Sequence, residues 1–131
     1  MRPVVVIALA LLAAAPAGAG TATTELRIVL WPRGQAAGEP HRWQLRCAPV
    51  GGTLPRRARA CARLARLDAP FAPVPADVAC TEQYGGPAQA RVTGRFRGRR
   101  IWARFDRADG CRIARWEKHA FLFGGVPLPT E

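Results

Sequence analysis

A chain of 131 residues with a formal net charge of +11 and only two histidines is restricted in what it can be. Its length holds one small domain, and its charge directs attention to acidic partners or to arginines that simply solvate a sheet. No serine–histidine–aspartate set, no carboxylate pair at readable spacing and no phosphate-cradling glycine loop is present, so the chain does not read as an enzyme.

Residues 1–19 have the form of an export signal. Arg2 precedes an apolar run from Val4 to Ala15, and Ala17-Gly18-Ala19 supplies the small residues of a cleavage site. The run is too short to span a bilayer, and no later segment is apolar enough to do so. Cleavage near Ala19 would leave residues 20–131 as the secreted, extracellular domain. Removal of Arg2 lowers the formal charge from +11 to +10, so this domain stays basic.

Leu26 to Trp31 is β-rich, with Leu26, Ile28 and Leu30 on one face. Pro32-Arg33-Gly34 and Gly38-Glu39-Pro40 punctuate the turn that follows. His41 to Cys47 alternates, with Trp43, Leu45 and Cys47 opposite Arg42, Gln44 and Arg46, as a half-buried strand does. Pro49 and Gly51-Gly52 end it. Thr53 then suits the cap of a helix reaching about Leu67, with Pro55 in its first turn. Ala58, Cys61, Leu64 and Ala65 form its inward stripe. Pro70, Pro73 and Pro75 stiffen the connection beyond.

Ala90, Val92, Gly94 and Phe96 alternate with arginines and Thr93. After a turn at Gly98, Ile101, Ala103 and Phe105 alternate with Arg100, Trp102 and Arg104. This is the clearest hairpin in the chain. Asp106 and Asp109 read as turn residues. Ile113 to Trp116 and Phe121 to Phe123 read as short final strands, and the Pro/Gly-rich tail from Gly124 as frayed. His41 and His119 read as surface residues.

Cys47, Cys61, Cys80 and Cys111 are an even set in a small exported domain, which implies two disulfides. Three pairings are open. Cys47–Cys61 with Cys80–Cys111 is the simplest, because it closes two separate loops. A metal site is disfavoured, since there is no Cys-x-x-Cys pair and neither histidine sits at ligand spacing. No cofactor is implied.

Cys80-Thr81-Glu82-Gln83-Tyr84-Gly85-Gly86-Pro87 reads as an exposed, cysteine-tied loop. Its polar residues carry no helical or strand period, and Gly-Gly-Pro breaks the backbone before the next strand. Such a stapled, extended loop is what a protein needs to meet a protease without being destroyed. A purely structural turn has the same local signature.

Several pieces together resemble the Streptomyces subtilisin inhibitor family. They are Cys47-Ala48-Pro49 with Gly51-Gly52-Thr53-Leu54-Pro55, Ala60 to Leu64 around Cys61, Cys80 to Tyr84, Val92-Thr93-Gly94 with Gly98, and Phe105 leading to Cys111. The resemblance implies an α+β fold, a five-stranded antiparallel sheet packed with two helices. It also implies the disulfide pairing given above, a homodimer through the sheet and inhibition of an extracellular serine protease. By the same resemblance Glu82 enters the protease's specificity pocket, Glu82–Gln83 is the reactive bond, and Thr81 and Tyr84 flank it. The chain departs from the family at two places. Glu82 stands where long uncharged or basic residues are usual, which points to a glutamate-specific enzyme as well as a subtilisin-like one. Gly85-Gly86 makes the loop one residue longer and more flexible.

The alternative from the charge is a secreted binding module for acidic polymers or the cell envelope, on the same fold with a non-inhibitory loop. Nucleic acid is disfavoured as its partner, because no nucleic-acid motif is present.

Overall fold

The computed structural model describes residues 1, 3, 4 and 23–130. The export signal read at residues 1–19 lies almost wholly outside the described residues.

Five strands form one antiparallel sheet in the order β3-β2-β1-β4-β5. β1 is Thr24–Trp31, β2 His41–Cys47, β3 Gly51–Gly52, β4 Gln89–Phe96 and β5 Arg99–Phe105. Helix α1 is Arg57–Leu64, helix α2 is Gly110–His119, and a 3₁₀ turn covers Ala120–Leu122. The α+β class and the five-stranded sheet with two helices are therefore as expected. Central β1 pairs with both β2 and β4, with Ile28 opposite Trp43 on one side and Val92 on the other.

That register carries the alternation of the sequence into a single core. Leu26, Ile28, Leu30, Leu45, Val92, Ala103 and Phe105 point to one face, where Leu54, Leu64, Trp116, Leu122 and Phe123 close over them. Burying a Leu, Ile, Val or Phe side chain contributes roughly 1.5–3 kcal/mol, and this layer is the main stabilising term. The β4–β5 hairpin turns on Arg97 and Gly98, both at positive φ, as a two-residue turn matched to strand twist requires. Arg97 then reaches across the molecule. Its guanidinium donates to the carbonyls of Leu64 and Ala65 at 3.2 and 3.3 Å and so satisfies the open end of α1.

Several expectations fail for identifiable reasons. Thr53 does not cap α1. Its hydroxyl accepts from the Gln44 amide at 3.0 Å, and its own amide donates to the Gln44 carbonyl at 2.8 Å. Gly51-Gly52, read as the end of β2, is instead the fifth strand, paired with Arg46 and Leu45. A side chain at Gly52 would collide with the Gln44 carbonyl, so only glycine permits this edge. The helix begins at Arg57, behind Arg56 in the left-handed region, and its inward face is Ala60 and Leu64, with Cys61 half-buried and Ala58 and Ala65 exposed.

Ile113 to Trp116 is not a strand but the middle of α2, and Phe121 to Phe123 is not a strand but lies on the 3₁₀ turn that follows it. Asp109 decides the matter. Its carboxylate accepts from the Arg112 amide at 2.9 Å, which caps the first turn of the helix. The tail is not loose throughout, because Val126 and Leu128 pack against the core. His119 is not a surface residue. It is 3 % exposed, with its ring against Phe105.

Candidate functional site

The loop at residues 81–84 joins α1 and its proline-rich connection to β4, and all four side chains are exposed. Its anchors are what make it a site. Cys80 is bridged to Cys111, in the first turn of α2, and Cys47 to Cys61, so both expected disulfides are present and no described cysteine is free. Asp109 lies close to Cys80 and Cys111, but both sulfurs are committed to the bridge and the trio is no metal site.

On the amino side of the loop the Gly110 amide donates to the Thr81 carbonyl at 3.0 Å. The fit is close: a Cβ on Gly110 would collide with the Thr81 hydroxyl. On the carboxyl side the chain is held twice at Gly85. Its amide donates to the Arg107 carbonyl at 2.8 Å, and the Arg107 Nε donates to its carbonyl, also at 2.8 Å. A Cβ at Gly85 would lie 2.8 Å from the Ile113 side chain and 3.1 Å from Arg107, so glycine is required for this approach. Arg107 is itself fixed. Its Nη1 lies 2.7 Å from a Glu117 carboxylate oxygen, and its side chain is 15 % exposed.

Between Thr81 and Gly85 the backbone of Glu82, Gln83 and Tyr84 makes no hydrogen bond to the rest of the described chain. The arrangement is a three-residue span of free, exposed peptide, fixed at both ends to one helix and the segment before it. The Gly85-Gly86 insertion is not slack. Gly85 is clamped, and Gly86 is buried in the left-handed region, which only glycine adopts readily.

Sequence reading singled out Thr81, Glu82, Gln83, Tyr84 and the cysteines; the structure places the first four in one exposed loop beside the Cys80–Cys111 bridge, whereas Cys47–Cys61 joins β2 to α1. Sequence reading missed Arg107, Gly110, Ile113 and Glu117, the residues that hold the loop. Asp109-Gly110 directly before Cys111 was the one available signal, because an aspartate three residues before Arg112 can start a helix beneath the bridge. Nothing local distinguishes Arg107 from the other arginines.

Comparison with curated proteins finds no match. A family model described as subtilisin inhibitor-like matches residues 12–107. This span covers all five strands, α1 and the whole of the exposed loop, and it stops short of Cys111 and α2. The family is one of inhibitors rather than enzymes, and membership supports a general role in protease inhibition. With its sheet, its paired cysteines and its doubly anchored loop, this chain belongs to the subtilisin inhibitor-like family.

Proposed function

We propose that the protein is secreted and inhibits an extracellular serine protease through the loop Thr81 to Tyr84, with Glu82–Gln83 as the reactive bond. The observation that carries this reading is the pair of anchors at Thr81 and Gly85, with free peptide between them. A protease takes its substrate as an extended segment. A loop already held near that form binds with less ordering entropy. After cleavage, the Cys80–Cys111 bridge and the Arg107 contacts hold both new ends in place, so the bond can re-form before either end departs.

Glu82 sets the target. Its charged carboxylate suits a specificity pocket carrying positive charge, as in glutamate-specific enzymes. An apolar subtilisin-like pocket must strip its water with no partner in return. Inhibition constants against a glutamyl endopeptidase, subtilisin and trypsin test this directly. The unmodified protein should favour the first. Glu82→Leu should strengthen inhibition of subtilisin by about 1–3 kcal/mol, and Glu82→Lys should shift preference to trypsin. Constants unmoved by either change would remove Glu82 from the pocket.

The homodimer through the sheet that the resemblance implies belongs to the same proposal, with a condition. The outward sheet face is rich in arginine, so two copies would associate there only when salt screens the repulsion. Equilibrium sedimentation should give dimer at high salt and monomer at low salt. The opposite trend would exclude this face as the contact.

A further inference from the structure

Helix α1 and its two ends carry Arg56, Arg57, Arg59, Arg63 and Arg66, all exposed, and no acidic residue among them. None of the five lies in an ion pair among the described residues. The Arg56 carbonyl accepts from the Ala60 amide at 3.0 Å, and the Arg66 amide donates to the Arg63 carbonyl at 3.1 Å, so the helical course runs from one to the other. Arg56, Arg59, Arg63 and Arg66 recur at i, i+3, i+7 and i+10. That spacing gathers them on one face as a ridge, about 15 Å long at the rise of an α-helix.

The ridge borders the second helix. The Arg63 guanidinium lies 4.9 Å from the centre of the Phe121 ring. Arg66 and Lys118, the latter in the last turn of α2, line one depression of about 530 Å³, where Asp68 is the one carboxylate. Lys118 therefore continues the row of cations. Ala60 and Leu64 of the same helix belong to the core, so the ridge lies on the helix side of the sheet. A dimer through the opposite face leaves both ridges open to water. The loop at residues 81–84 rests on the first turn of α2, whereas the ridge meets its last.

We propose that this ridge binds a linear phosphodiester polymer without bases, of the poly(glycerol phosphate) kind. Each guanidinium is a planar fork that matches phosphate oxygens, and a row of single forks suits a chain with one charge per repeat. A nucleic acid fits less well, because the aromatic ring beside the ridge, Phe121, is half-buried and lies under Arg63 rather than open for stacking. A lipid surface fits less well too. The residues exposed between the arginines are Ala58, Ala62 and Ala65, which are too small to insert among acyl chains. The proposal goes beyond inhibition and does not depend on it.

The test is fluorescence anisotropy of an end-labelled glycerol phosphate oligomer titrated with the secreted protein at several salt concentrations. With about four phosphates neutralised, log affinity should fall with log salt at a slope of about −3. Arg59→Gln with Arg66→Gln should roughly halve that slope and leave the thermal midpoint and the inhibition constants where they were. Single variants supply the control. Arg59→Gln should flatten the slope, and Arg33→Gln, an equal loss of charge, should leave it. Thr24 pairs with Cys47, which is bridged to Cys61, so α1 sits at the Thr24 end of β1 and Arg33 follows its far end. Glu82→Leu should bind the oligomer as the parent does, so a failure here is distinct from a failure of the inhibitor reading. No binding at low salt, or Arg33→Gln as damaging as Arg59→Gln, would overturn the proposal. So would equal competition by oligothymidylate or polyglutamate of the same charge, which would assign the ridge to nucleic acid or to acidic protein.

Discussion

At the residue scale the account turns on Arg107. A charged donor to a carbonyl is stronger than a neutral one, and this one is shielded from water and braced by Glu117. Arg107→Ala removes the bond to the Gly85 carbonyl and leaves Glu117 without its partner. It should weaken inhibition on the order of tenfold and speed cutting of the loop, with a smaller effect on the thermal midpoint. Arg107→Lys should not restore inhibition, because an ammonium lacks the planar Nε donor. Rates of inhibitor hydrolysis measured beside the inhibition constant read both effects. Equal losses of stability and inhibition would make Arg107 a general structural residue. That Glu82 lies in an exposed loop was legible in the sequence because the Cys80 to Tyr84 order is local. Arg107 was not, because its role exists only once Phe105 and α2 place it beside Gly85.

At the scale of elements, strands were readable and the last third of the chain was not. β1, β2, β4 and β5 alternate cleanly because one face of each is core, and that period is written in the residues. β3 is two glycines whose pairing depends on a close approach to Gln44, and glycine in sequence looks like a turn. In α2, Ile113 to Trp116 reads as a strand because the apolar residues are few. The helix follows from the Asp109 cap and from burial of Trp116. The bridge to Cys111 makes α2 the platform of the loop. Replacing Cys80 and Cys111 together by serine should cost roughly 3–4 kcal/mol of stability and turn slow nicking near Glu82 into rapid digestion. Denaturant titration gives the first quantity and timed proteolysis the second. Unchanged resistance to protease would show that Gly110 and Arg107 hold the loop without the bridge.

At the scale of the whole molecule, one sheet separates two surfaces, an apolar one under the helices and an arginine-rich one facing water. Among the described residues the buried core includes one titratable group, His119. Its Nδ1 donates to the Arg115 carbonyl at 2.7 Å, while Nε2 is buried without a partner among the described residues. Burial is the largest influence and pushes its pKa below the ordinary value of 6.5; the carbonyls of Arg115 and Pro70 act the other way, and the charges of Arg115 and Lys118 act with burial. The unfolded chain therefore takes up this proton first as pH falls. The stability that His119 contributes is complete above about pH 6.5 and declines below it until the folded form also protonates. Urea midpoints should fall between pH 7.5 and pH 5, as rough brackets of that window, and His119→Gln should lose much of that slope. A slope unchanged in the variant would assign the acid sensitivity elsewhere.

The central claim is that Glu82–Gln83 is the bond offered to the protease, and mapping the cut made during slow turnover tests it most directly. After incubation with a glutamyl endopeptidase, the intact mass should rise by one water, since Cys80–Cys111 keeps both pieces together. Reduction should then release a fragment beginning at Gln83. A cut at any other bond, or digestion of the whole domain without a nicked form, would contradict the account.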